Sequence, residues 1–507
     1  MKVRVGKRRT DRRLVAALGA LALGFLAVAG VPAPRARAES PRAPAAPGDV
    51  APAGSLGGPA VRVGIGRALL GAELRGTGGL VVLDPSGREI ARAGPGQPVR
   101  FRAEPVPGAV GPPGGPAVAV RVEPPDGGAH LLPGPVRAVP AGTGASDGGA
   151  IVYEGRRYRG EAEVLPSAAG GRLSVVNVVG VEDYLRGVLP REMPVRSFPP
   201  EALKAQAVVS RTFALKAREE ARFRAEGFDV TADTSSQLYG GMDVEEPEAD
   251  AAALATRGQV ILYQGRLIAA LFHAQSGGHT EDNEVVFTGG RPLPYLRGVP
   301  DFDQDAPRYR WEVVVDAGRL GAALRDGYQV DVGEILGVEP AGTRGSGGRW
   351  SHWRVWGTRG SAQVTGSQMR WALGLPSNPR ELTVERTAPG TPARGYAAAE
   401  RLIVLGAAGA LREASAGGLV LAGAAEAAAS GPSGTAERYA AVPEGGFVAL
   451  GGGGEVPVTL RAAGGGYGHG VGLSQWGARA LALAGKTYVE IIQYYFTGVE
   501  VAAYGGP

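Results

Sequence analysis

At 507 residues the chain is too long for a single ordinary core, so two or three folded units are expected. Its net charge of +5 does not describe a basic face: residues 1–38 hold nine Lys/Arg against one Asp, and removing that +8 leaves −3 on the remainder, so no nucleic-acid partner is expected. The absence of Cys excludes disulfides, thiol nucleophiles and thiolate-bound zinc.

The chain opens with a basic run (Lys2, Arg4, Lys7, Arg8, Arg9, Arg12, Arg13), followed by an apolar stretch from Leu14 to Val31. Pro32, Pro34 and Ala36-Arg37-Ala38 come next. This order is that of a signal peptide over 1–38, cut before Glu39. An uncleaved segment that anchors the body to the cell membrane is the alternative, and the only membrane contact expected. Either way the remainder lies outside the cytoplasm, secreted or associated with the cell wall.

Residues 39–59 are rich in Pro and Ala and form a tether. Residues 60–140 alternate in short apolar runs broken by turns such as Asp84-Pro85-Ser86-Gly87, which predicts a small β-rich domain closed by a Gly-rich joint. Strands resume at Ile151. Residues 181–227 are predicted helical, with Pro199-Pro200-Glu201 opening the second helix and Gly227 stopping it. Gln259–Tyr263 and Arg266–His273 make a hairpin through Gln264-Gly265. Residues 310–386 mix strands and a helix, 387–463 are an Ala/Gly-rich insertion, and 464–507 hold a Gly-rich loop and a helix from about Ser474 to Tyr495. The fold class is α+β: a mixed, β-rich, multi-domain architecture with one helical segment that carries the chemistry.

Three segments stand out. The first runs from Asn177 to Pro194 through Val188-Leu-Pro-Arg-Glu-Met-Pro194, and continues over Pro200–Ala214. The second is Phe272-His-Ala-Gln-Ser-Gly-Gly-His-Thr-Glu-Asp-Asn283, and the third is Gly466-Tyr-Gly-His-Gly-Val-Gly-Leu-Ser-Gln-Trp-Gly-Ala478.

On their own terms these residues leave alternatives open. Glu192 lies among Leu189, Pro190, Met193 and Pro194, an apolar setting that suits a general acid, although a turn-capping Glu fits as well. Glu182, Asp183 and Glu201 open helices and need no other role. Lys204 and Arg211 share a helix face, where they either meet sugar carboxylates or pair with Glu182 or Asp183. Gln206 and Ser210 are placed for sugar hydroxyls or for a helix-packing network. Ser276, Gly277, Gly278 and Thr280 read as a Gly-bent loop presented to a glycan. His469 sits between two glycines, and Gln475 and Trp476 begin the last helix, within reach of a sugar. No cofactor is expected; the one donor set for a metal is His273 and His279 with Glu281 and Asp282, which would take zinc.

Taken together and in this order, the three segments resemble the SpoIID/LytB family of bacterial sporulation and cell-wall proteins, over roughly 158–385 and 464–500. The resemblance implies a peptidoglycan lytic transglycosylase acting on glycan strands, with Glu192 as acid/base. It also implies cell-wall or sporulation proteins as partners. The chain departs from the pattern in the long stretch between about 386 and 464. A non-catalytic glycan binder or activator of a cell-wall amidase is the first alternative; a metal-dependent hydrolase built on His273 and His279 is the second, and it lacks the HExxH spacing.

Overall fold

The computed structural model describes residues 57–109, 111, 116–141, 149–386 and 458–505, with four strands between: Leu402–Leu405, Leu411–Ala414, Glu437–Ala441 and Phe447–Leu450. The leader over 1–38, most of the tether and most of the 387–463 insertion lie outside the described residues. Among the described residues no helix is long and apolar enough to cross a membrane. The architecture is mixed α+β and rich in strands. The described residues divide into two units, one built from 57–272 together with Ala478 onward, the other from His273–Gly477.

In the first unit a seven-stranded sheet takes its strands in the order Val230–Thr231, Ala60–Leu69, Leu173–Gly180, Glu161–Pro166, Val136–Pro140, Leu80–Leu83, Glu89–Ala93. Residues 60–140 are therefore not a domain of their own. Ala60–Leu69 pairs antiparallel with Leu173–Gly180, with Val61 opposite Val179 and Val63 opposite Asn177. Likewise Gly71–Gly76 pairs with Ile151–Tyr153 in a second sheet. The apolar alternation was legible; that each half supplies strands to the other half's sheets was not, because register is set by long-range pairing. Val61, Val63, Val175 and Val179 point into the core, while Arg62 on the other face forms a fork to Glu163 at 2.6 and 3.0 Å.

The interior strand Leu173–Gly180 leads straight into helix α1, Val181–Glu192, whose first turn carries Glu182 and Asp183. Tyr184, Leu185, Val188 and Leu189 are buried on it, and α1 packs against α2, Pro200–Glu220. Pro200 occupies the first turn of α2, where its missing N–H costs nothing. The helix stops at Ala221, left-handed at φ 51°, and not at Gly227; Gly227 instead closes a separate short turn over Arg224–Glu226. A third helix, α3, spans Pro247–Ala255. The hairpin forms with Gln264 and Gly265 both at positive φ, as a two-residue turn between right-twisted strands requires. Its second strand is only Arg266–Leu267, and Gln259–Tyr263 finds its other partner in Glu500–Ala503. The predicted last helix is two helices, Gln475–Leu483 and Tyr488–Tyr495. Gly485 at φ 83° follows the first, and Thr487 with Glu490 forms a capping box that starts the second.

In the second unit Val458–Gly464 is the centre of a three-stranded sheet between Trp311–Asp316 and Glu381–Arg386. Trp353, Val355, Val364, Leu320, Leu324, Met369 and Leu460 form its core. The long insertion is placed by this sheet. Glu381–Arg386 pairs in register with Val458–Gly464, ending at Arg386 opposite Val458, so residues 387–457 leave and re-enter at one end of a hairpin. Extra chain there disturbs neither strand.

Candidate active site

Glu192 is the last residue of α1, with Pro190 in the same final turn and Met193 already extended. The proline and the apolar neighbours end the helix and leave the carboxyl half-buried at its end. Its Oε1 accepts one hydrogen bond, from the backbone N–H of Leu238 at 2.8 Å. Burial pushes its pKa from 4.5 up to about 7, against the opposing pull of the Leu238 N–H and the nearby Arg191. No cation pairs with it closely enough to hold it charged, so near neutral pH it has a proton to give.

The wall behind it comes from a segment the sequence reading passed over. Residues 231–241, Thr-Ala-Asp-Thr-Ser-Ser-Gln-Leu-Tyr-Gly-Gly, return past the end of α1. Thr231 Oγ1 and the Ser235 N–H both donate to Asp233, which shapes the turn. Beyond it Tyr184 Oη donates to Gln237 Oε1 at 3.2 Å, and Tyr239 Oη donates to Asn177 Oδ1 at 2.9 Å. The rings of Tyr184 and Tyr239 lie 5.0 Å apart. A polar run ending in Gly240-Gly241 was the available signal. Gly241 has φ 69°, and a Cβ there would lie 2.4 Å from the Arg157 carbonyl oxygen.

Most residues expected to bind substrate have structural partners instead. Arg211 is fully buried, with Nε and Nη2 on the two oxygens of Glu182 at 2.9 and 2.6 Å and further bonds to the carbonyls of Ala253 and Gln259. It ties α1 and α2 to the end of α3 and meets no ligand; of the two readings of this face, pairing with Glu182 is the one observed. Gln206 is likewise fully buried and donates from Nε2 to Ser210 Oγ at 3.0 Å, the helix-packing alternative. Lys204 pairs with Glu201 at 2.6 Å and lies 6.0 Å from the Tyr488 ring, yet keeps part of its side chain exposed.

Within the His273–Gly477 unit the Gly-bent loop is turned inward. Gly277 and Gly278 have φ of 77° and 96°, and the N–H groups of Ser276, Gly277 and Gly278 all donate to the carboxylate of Asp303 at 2.7–2.8 Å. Ser276 Oγ donates to Asp301 at 2.6 Å. Thr280 is buried and bonded to Val299. These internal bonds anchor the loop, with Gly278 left half-buried. The successive N–H groups form an anion nest, as expected for such a loop, but an internal carboxylate fills it.

His469 is half-buried, its Nδ1 accepting from the Val471 N–H at 3.1 Å and its ring 5.5 Å from both His273 and Phe287. Gln475 is buried at the start of its helix. His273 is buried, with Nδ1 3.2 Å from the Val471 carbonyl, and burial pushes its pKa well below 6.5. His279 Nδ1 lies 2.7 Å from the Thr280 carbonyl. Among the described residues no three His, Asp or Glu side chains converge as metal ligands, so a zinc ion on His273 and His279 would lack a third protein ligand. Glu281, the carboxylate nearest in sequence to that pair, is turned to the N–H groups of Gly347 and Arg349.

The first unit thus presents a protonatable carboxyl at a helix end, backed by a tyrosine-lined loop. Comparison with known proteins matches this same stretch: residues 169–263 fit the family model SpoIID: Stage II sporulation protein. The match contains Glu192, α1 to α3 and the 231–241 loop. Stage II sporulation protein D of Bacillus subtilis is 25% identical over 356 residues, covering 67% of this chain and 78% of that protein. The amidase enhancer of the same organism is 25% identical over 354 residues, 70% of this chain but 45% of the relative. An uncharacterized protein of Brachyspira hyodysenteriae is 27% identical over 355 residues, covering 70% and 74%. Over residues 169–263 the chain is thus similar to the SpoIID family.

Proposed function

We propose that the chain is an exported, cell-wall-associated lytic transglycosylase that cleaves peptidoglycan glycan strands with Glu192 as both acid and base. The observation that carries this is the carboxyl at the end of α1, lifted by burial to a pKa of about 7. Its protonated form donates to the glycosidic oxygen as the C1–O bond breaks. The resulting carboxylate then takes the proton from the sugar's own 6-hydroxyl, whose oxygen closes onto C1. The product has an anhydro end, no water is consumed, and Glu192 finishes protonated as it began. One carboxyl suffices for this sequence. Glu182 and Asp183 lie ten and nine residues away at the other end of α1, about 14–15 Å along the axis, beyond the ~6.5–9.5 Å of an inverting pair. Glu182 is also committed to Arg211.

The match of residues 169–263 to the SpoIID family and the basic, then apolar, leader support the cell-wall setting and export. Of the substrate contacts expected in the unit that carries Glu192, Lys204 retains exposed surface and is the one we assign to the glycan; other cell-wall or sporulation proteins are the proposed partners. A second reading, activation of a cell-wall amidase without cleavage, is favoured by the relative named amidase enhancer. The pH profile separates them. Cleavage of purified glycan strands should be level below about pH 6 and fall tenfold per pH unit above 7, as the acid form is lost. A rate that rises between pH 6 and 8 contradicts the acid role, and binding without cleavage at any pH selects the second reading.

A further inference from the structure

The His273–Gly477 unit concentrates guanidinium groups where carboxylates do not answer them. Arg310 Nη1 and Arg380 Nη1 both donate to one oxygen, the Gly277 carbonyl, at 2.6 and 3.2 Å. Arg380 Nη2 and Arg349 Nη2 both donate to the Ser276 carbonyl, at 3.2 and 2.8 Å. Arg344 approaches from the same side: a Cβ placed on Gly348 would lie 3.8 Å from its Nη2 and 3.7 Å from the Arg380 side chain. Three cations thus share two backbone oxygens, with Arg344 alongside.

The nearby acids are already engaged. Asp303 accepts the three loop N–H groups, and Glu281 accepts the N–H groups of Gly347 and Arg349, standing 3.9 Å from Arg349 Nη1. Arg310, Arg344 and Arg380 make only carbonyl and ring contacts; Arg310 lies 4.4 Å from the Tyr309 ring and Arg344 5.8 Å from the Trp350 ring. Arg349 is fully buried, and its Nε and Nη1, like the buried Nε of Arg380, have no hydrogen-bond acceptor. Burial, with Arg349 and Arg310 beside it, pushes Arg380 down to about 10. Exposure grades from Arg310 and Arg344 at the surface through half-buried Arg380 to Arg349 at the base. Donors left unmet beneath converging like charges are what an oxyanion would complete, and the planar guanidinium fork fits phosphate and carboxylate alike.

We propose that Arg310, Arg344 and Arg380, above Arg349, form a binding site for an oxyanion carried on an acidic wall polysaccharide. The shared chemistry is phosphate or carboxylate, and the site holds polymer rather than acting in bond cleavage, so it does not depend on the role of Glu192.

The test measures binding to the full chain by titration calorimetry at low and high salt. One arm uses poly(glycerol phosphate), the other glycan strands freed of peptides with their carboxylates exposed; Glu192→Gln serves as the host so that no strand is consumed. Binding in either arm, competed by inorganic phosphate, supports the site and names its source. The double variant Arg310→Gln/Arg344→Gln should weaken that binding roughly tenfold or more, while Arg319→Gln, the loss of one exposed charge elsewhere in the unit, leaves it unchanged. Arg380→Lys, which keeps the charge but loses the fork, should fall between. The proposal is overturned if neither polymer binds, if the double variant binds as tightly as its host, or if Arg319→Gln weakens binding equally. Failure of wild type to cleave glycan bears on Glu192 alone.

Discussion

Glu192→Gln should make the protein more stable, increasingly so as pH rises from about 4.5 and most fully above pH 7. The carboxyl has a pKa near 7 in the folded protein against an ordinary 4.5, so the folded state holds its proton more tightly. Between those values the folded protein binds more protons than the unfolded chain, and stability falls as pH rises through that window. Above pH 7 the full cost of a half-buried carboxylate is present, roughly 3 kcal/mol from a shift of about 2.5 units at ~1.36 kcal/mol each. Gln keeps an oxygen for the Leu238 N–H and carries no charge, so it removes that cost without opening a cavity. Thermal unfolding at pH 5 should place the variant only slightly above wild type, by about 1 kcal/mol or less, since little of that window has been crossed. At pH 8 the variant's transition should lie higher by several degrees, on the order of 6–12 °C for a unit of this size. Equal melting at pH 8, or a difference that does not change between pH 5 and 8, would refute the assignment of a raised pKa to Glu192.

Two further outcomes follow from the same geometry. Arg211→Ala leaves Glu182 buried without its counter-charge and should destabilise by about 3–5 kcal/mol in denaturant unfolding, whereas a ligand-binding arginine would cost little stability. Extended treatment with EDTA should leave both melting temperature and glycan cleavage unchanged; a loss restored by zinc would revive the metal-dependent reading built on His273 and His279.

What the sequence disclosed and what it withheld divide along one physical line. Glu192 could be singled out because its apolar setting is local: Leu189, Pro190, Met193 and Pro194 are its chain neighbours. The turn at Gln264-Gly265 and the opening of α2 at Pro200 were legible for the same reason. Arg211 stayed open between a sugar-facing cation and a partner of Glu182 or Asp183, because a helix face alone does not say whether it points into a core or a cleft and Glu182 is 29 residues away. The loop at Ser276–Gly278 has the backbone form of an anion nest, but the carboxylate that fills it, Asp303, follows 25 or more residues later. The strand exchange between 60–140 and 151–180 escaped because alternation reveals that a strand has a buried face and not which strand lies beside it. Leu238 was invisible in principle, since its contribution is a backbone N–H that any non-proline residue carries.

The central claim is that Glu192 moves the proton in glycan cleavage. Purified glycan strands digested with wild type and with Glu192→Gln, and analysed by mass spectrometry of the ends, test it most directly. Wild type should produce anhydro ends, and the variant should do so roughly a hundredfold or more slowly while still binding the strands. Cleavage by Glu192→Gln at the wild-type rate, or reducing ends in place of anhydro ends, would contradict the account.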